Sequence, residues 1–229
     1  MTEVRVSLRD RKRAATIDEI KTVAISQLSA DAGQMTLRGV AREVGMTVQS
    51  LYHYFPSRDD LITALIADAH NALADAIEAA GQAHPDLVGV ASAYRGWAVE
   101  HRARFLLIFG TPVPGYAAPP GGPTTDAARR LGVAFTGAVF HGWSPADLAA
   151  IRPPAVDPAL DDALTAAAAL VLPGMPPAAF GWGLDLWGRV HGLVLLELLG
   201  HLPWLGDQAA ANFHHAALRA AADLARLRP

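Results

Sequence analysis

Between Arg13 and Ala32 the apolar residues Ile17, Ile20, Ala24 and Leu28 recur every three to four positions, which predicts a helix, with Gly33 as its stop. Leu37, Val40, Ala41 and Val44 repeat the spacing over a much shorter stretch, from an N-capping Thr36 to Gly45. A third short helix follows in "TVQSLYHYF". Thr47 caps it, Val48, Leu51 and Phe55 turn inward, and Gln49, Ser50, Tyr52 and His53 are left pointing out. Pro56 closes that helix and Ser57 caps the next. The next helix carries Asp59 and Asp60 in its first turn and an apolar face through Leu61, Leu65, Ala69, Leu73 and Ile77, up to Gly81.

From about residue 86 the chain is alanine-rich, with helical patterns at about 86–109, 125–142, 159–172, 178–202 and 207–227, and no convincing strand alternation. "GTPVPGYAAPPGGPTT" and "RPPAVDP" read as loops, the first long enough to be mobile or to act as a lid. The expected fold is all-α. It has a flexible basic arm (1–12), a helix-turn-helix head (13–60), a connecting helix (58–80) and a helical ligand-binding and dimerisation domain (82–229).

Charge sharpens this division. Residues 1–58 hold nine Lys and Arg against six Asp and Glu, whereas the rest holds ten against sixteen, within a net charge of -3. A mildly basic head on an acidic body is the distribution expected if only the head meets phosphate. Arg5, Arg9, Arg11, Lys12 and Arg13 extend the basic character to the amino terminus. The chain lacks cysteine, and neither its amino terminus nor the run "LVLLELLG" has the character of a signal peptide or membrane span, so the expected compartment is the cytoplasm.

The exposed side chains of "TVQSLYHYF" suit a duplex. Gln49 offers a donor and an acceptor to a base edge, Ser50 and the tyrosine hydroxyls reach phosphates, and the Tyr52 ring can press on a thymine methyl. Arg38 opens the preceding helix, and Arg58 opens the following one, where its charge and the exposed amides can hold one phosphate together. The competing reading treats Leu51 to Phe55 as an aromatic core segment. "LRGVAREVGMTVQSLYHYFPSRDDL" resembles the helix-turn-helix of the TetR family of transcriptional regulators almost position by position, and "LYHYFPSRDDL" is its most specific part. That resemblance implies phosphate-side contacts from Thr36, Ser50, Tyr52, Tyr54 and Arg58. It implies base readout from Arg38, Val48, Gln49 and His53, with Thr47 in the same surface.

In the body, Tyr94, Trp97, His101, Phe105 and Phe109 share one face if 86–109 is a single helix, and this aromatic stripe can line an apolar cavity or simply be core. "FGWGLDLWGRVHGLVLLELLGHL" is apolar nearly all round, as a helix buried on more than one side would be. Trp182, Leu186, Gly188, Gly192 and Leu196 on it, with Phe213, Ala217 and Leu224 on the last helix, are expected to form a four-helix dimer interface. Trp187 followed by His191 and Gly192 is similar to the signature of TetR regulators whose C-terminal region is called the WHG domain. In that likeness Trp187 and His191 reach the cavity or brace the interface.

The sequence thus predicts a homodimeric, ligand-responsive regulator of double-stranded operator DNA, most often a repressor in the family it resembles. The expected effector is a small apolar or amphipathic molecule. No cofactor, metal or catalytic residue is expected. An effector-independent DNA-binding dimer is the alternative. A metal-dependent enzyme, drawn from the four-residue spacing of Glu197 and His201 with His191, His214 and His215 nearby, is the rival of another class.

Overall fold

The computed structural model of the chain describes residues 7–30, 34–110, 112–152 and 158–228, so Arg5, Gly33 and most of the "RPPAVDP" loop lie outside the described residues. No strand is found among the described residues. The chain divides into two compact units, Met1–Ala69 with Ala103–Asp126 and His70–Arg102 with Ala127–Pro229.

The first unit holds α1 (Leu8–Ala30), α2 (Leu37–Val44), α3 (Val48–Tyr52) and the opening turns of α4 (Arg58–Ala83). The predicted order of short helices is present, and its caps explain the boundaries. Thr36 Oγ1 accepts from Gly39 N at 3.0 Å, and Thr47 Oγ1 accepts from Ser50 N at 3.1 Å. Between them Gly45 sits at φ 79°, while Met46 N bonds Ala41 O at 2.9 Å. That left-handed residue ends α2 at a conformation only glycine adopts without strain. Ser57 caps α4 by accepting from Asp60 N at 3.0 Å.

Ile20, Ala24, Met35, Val40, Ala41, Leu51, Phe55, Leu61, Ile62 and Leu65 form the core of this unit. Leu51 and Phe55 turn inward as expected, while Val48 is only partly buried. Val113 and Tyr116, from the glycine- and proline-rich segment expected to be mobile or a lid, also join this core. Tyr116 Oη and Thr63 Oγ1 lie 3.0 Å apart, and Arg58 donates to Pro114 O at 3.3 Å, so the start of the segment is anchored to the head. Residues 8–12, expected in a flexible arm, are helical. Helix α1 begins at Leu8, where Ser7 Oγ accepts from Asp10 N at 3.1 Å and donates to Asp10 Oδ2 at 2.7 Å.

The second unit is built on α5 (Leu87–Glu100), α10 (Pro177–Leu198) and α11 (Ala209–Ala225), which pack on one another. The rest of α4, the rest of α7 (Pro123–Val139), α8 (Pro145–Ala150) and α9 (Pro158–Val171) complete it, with a 3-10 turn at Pro203–Gln208. The expected single helix over 86–109 is two helices, α5 and α6 (Arg102–Phe109), broken at His101, whose φ is -112° and ψ 43°. Arg102, just past the break, donates to Leu198 O at 3.1 Å. Helix α8 and the 3-10 turn, each too short to establish a period, went unpredicted.

Four residues expected at a dimer interface are instead inside one protomer. Leu186, Phe213, Ala217 and Leu224 are all buried in the chain itself, because the Phe213–Leu224 face of α11 packs against the chain's own helices. Alanine-lined faces look alike from sequence whether they meet a neighbour in the same chain or a second copy.

Candidate functional site

On α3, the inward pair Leu51 and Phe55 seats the helix in the core and leaves Gln49, Ser50, Tyr52 and His53 exposed, with Tyr52 retaining 45% of its surface. This separation sets aside the reading of the whole segment as aromatic core. Only Leu51 and Phe55 are core, with Tyr54 partly buried, while hydrogen-bonding side chains cover the outer face. Arg38, Thr36 and Thr47 are exposed beside it. The Thr47 and Ser50 hydroxyls are 2.8 Å apart, which fixes their orientation at the start of the helix.

Arg58 plays a structural part as well as an electrostatic one. It is partly buried, and its Nε donates to Met35 O at 2.9 Å, stapling the start of α4 to the turn before α2. Sequence reasoning saw the charge and not this tie. It also missed what Arg13 does. The guanidinium lies over the Tyr54 ring, 4.8 Å from its centroid, and donates to His53 O at 3.4 Å. The signal available was Ser7-Leu8-Arg9-Asp10, a capping sequence that starts α1 at Leu8, ahead of the expected start at Arg13, and so puts Arg13 inside the helix and not at its frayed end.

In the second unit, Tyr94 is fully buried and its hydroxyl lies 2.7 Å from His191 Nδ1. The indole of Trp187 also hydrogen-bonds that hydroxyl. Trp187 stacks on His191 with ring centroids 4.5 Å apart at 18°. The phenol oxygen can take the indole hydrogen on one lone pair, and the arrangement in which the phenol hydrogen then goes to Nδ1 assigns the ring proton of His191 to Nε2. Burial pushes the Tyr94 phenol far above its ordinary value and holds His191 below the ordinary 6.5. The cluster is a neutral polar knot in an apolar layer.

Trp97 is buried and packs on His101 at 5.0 Å between ring centroids, so Tyr94, Trp97, His101, Trp187 and His191 belong to this unit. Phe105 and Phe109 do not continue the stripe. The break at His101 restarts the helical phase, and the two rings pair with each other at 5.0 Å in the first unit. Glu197, the acidic member of the supposed metal set, is held by Arg95 through a two-pronged ion pair, at 2.8 Å from Nε. Its carboxylate is committed to a guanidinium.

Residues 29–65 match the family model described as "Bacterial regulatory proteins, tetR family", and residues 87–220 match "Tetracyclin repressor-like, C-terminal domain". HTH-type transcriptional regulators Rv1816 of Mycobacterium tuberculosis and Mb1846 of Mycobacterium bovis are each 34% identical over 199 residues, covering 83% of this chain and 84% of theirs. The crystal structure of the protein SCO4313 superposes with a TM-score of 0.77 at 33% identity, covering 93% of this chain and 98% of that one. A Rhodococcus protein of unknown function shares the fold, with a TM-score of 0.63 at 19% identity over 100% of this chain and 99% of its own. These likenesses do not establish the WHG subgroup. The family models and the curated relatives are transcriptional regulators and not enzymes, and the chain belongs to the TetR family of helix-turn-helix transcriptional regulators.

Proposed function

We propose that this regulator is a homodimeric repressor that reads a near-palindromic operator with α3 and is released from it by a small apolar or amphipathic molecule bound in the second unit. The observation that carries DNA reading is the polar outer face of α3 over a fully buried Leu51. Gln49 and His53, with Arg38 and Val48, read base edges, and Thr36, Thr47, Ser50, Tyr52, Tyr54 and Arg58 hold the backbone. Two heads meet half-sites about 34 to 36 Å apart.

Dimerisation is assigned to the outer face of α10 and not to the buried face of α11. Leu184, Gly188, Leu196 and Leu199 are exposed there, with Trp182 and Gly192 partly so. A Cβ on Gly188 or Gly192 would meet no atom of the chain within 4 Å, so packing inside the protomer gives no reason for either glycine. Helical glycine costs about 1 kcal/mol relative to alanine, and close approach of a second backbone offsets that cost.

The effector's contacts are assigned to Trp97, His101, Trp187 and His191, with Tyr94 fixing the orientation of His191 through their hydrogen bond. A molecule that prefers one head spacing over the other changes operator affinity by that preference, commonly about 1 to 3 kcal/mol. DNA access places the protein in the cytoplasm. The test is selection of tight-binding duplexes from fragmented genomic DNA at two salt concentrations. A recovered near-palindrome supports the reading, while weak, motif-free binding that fades with salt refutes it.

A further inference from the structure

The first two turns of α1 contribute nothing to the core. From Leu8 to Ala15 every residue is exposed, and Ile20 is the first one buried. These turns are the solvated start of a 23-residue helix whose later turns are packed, so they are the end most prone to fray. Here the Ser7 cap starts the turns, and Arg13 ties them by its stacking on Tyr54 and its hydrogen bond to His53 O.

The result is a groove lined by Leu8, Arg9, Lys12, Arg13, Thr16 and Tyr54. The residues of α1 in it follow one helical face. Arg11 falls two residues from Arg9 and from Arg13, about 200° around the helix, and does not line the groove. Arg13 is spent on positioning. The side chains of Arg9 and Lys12 make no hydrogen bond or ion pair among the described residues, and both are exposed. Two cations with no partner among the described residues thus stand beside Tyr54.

We propose that this groove, through Arg9 and Lys12, grips the sugar-phosphate backbone of duplex DNA next to the base pairs read by α3. The inference rests on the DNA-reading function proposed above. It replaces a flexible arm that samples phosphate anywhere with a rigid rail aligned to the recognition helix. Two consequences separate the groove from general basic attraction. Its contribution is sequence-independent, so it acts equally on operator and random DNA, and it belongs to one face of α1 only.

The experiment measures the affinity of the full chain for a random-sequence duplex across a salt series, for wild type, Arg9→Ala/Lys12→Ala and Arg11→Ala. Circular dichroism confirms that both variants remain folded. Each phosphate contact contributes about 0.9 to the slope of log affinity against log salt. The double variant is expected to show a shallower slope, and between about 50 and 200 mM salt the wild type's advantage shrinks roughly threefold per lost contact. Arg11→Ala is expected to keep the wild-type slope. An unchanged slope in the double variant overturns the proposal, as does an equal loss in Arg11→Ala. A wild type that binds no duplex at all overturns the DNA-reading function as well, which distinguishes the two failures.

Discussion

Tyr94→Phe removes one oxygen from the middle of the second unit and leaves the ring in place. The ring stays packed edge-on against Phe135, with centroids 6.3 Å apart, so no cavity larger than the hydroxyl forms. What is lost is the 2.7 Å bond to His191 Nδ1 and the acceptor of the Trp187 indole. A net hydrogen bond is worth about 1 kcal/mol, and a buried polar group left unsatisfied costs about 1 to 3. His191 and Trp187 are each only partly buried, so water recovers part of that cost. The expected loss is about 2 kcal/mol, equivalent to a fall in Tm of roughly 4 to 8 °C for a chain of this size.

The loss also depends on pH. A histidine whose folded pKa is lowered supplies stability that is fully present above its ordinary value of 6.5 and declines as pH falls below it. Protonation turns Nδ1 from acceptor into donor and strands the phenol hydrogen. Burial keeps folded His191 neutral to below its ordinary 6.5 in both proteins, so the gap between them narrows only once the pH falls past that lowered pKa, where wild type loses the Tyr94 contribution and the variant has none to lose. Urea unfolding at pH 8 and at pH 5 measures both numbers, and a double-mutant cycle with His191→Phe isolates the coupling. A difference under about 0.5 kcal/mol at pH 8, against the 1 to 3 expected for a stranded partner, refutes the hydrogen-bonded knot. So does a gap that widens in acid.

Leu51→Ala empties a fully buried site under α3 and is expected to cost about 2 to 5 kcal/mol of stability, read by denaturant titration, with DNA binding lost in parallel. Gln49→Ala, at an exposed position, leaves Tm unchanged and relaxes base preference at a single operator position, with a loss of about 1 to 3 kcal/mol in competition binding against mismatched duplexes. Gly188→Ala with Gly192→Ala raises thermal stability, by up to about 1 kcal/mol for each substitution, at protein concentrations where the chain is monomeric. It weakens self-association in sedimentation velocity, and unchanged self-association removes the α10 face as the interface.

The head was legible because its information is local. Thr36, Gly45, Thr47, Pro56 and Ser57 punctuate helices too short to stand on periodicity alone, and each uses a side chain or backbone angle within three or four residues of itself. The body hid what depends on distant partners. Nothing near His101 marks a break, since neither glycine nor proline stands there and the next residue's guanidinium is bound by Leu198, 96 positions away. Val113 looked like loop because its neighbours are Pro and Gly, and its place in a core assembled from α1 to α4 has no local signature. Ser7 and Asp10 were readable as a cap but were overlooked among the charges around them.

The anchoring of Val113 and Tyr116 in the head bears on how such regulators can be recombined. A head grafted from one family member onto another at the connecting helix would leave these two residues behind and import a core shaped for different ones. With Val113 buried, Leu107 packed against the same cluster and Pro114 O bound by Arg58, the exchangeable module is discontinuous: residues up to about 69 together with 103–126. A chimera that respects only the first boundary has an unfilled apolar seat and an unmatched guanidinium, and its weak DNA binding would then report a packing defect and not a mismatch of operator.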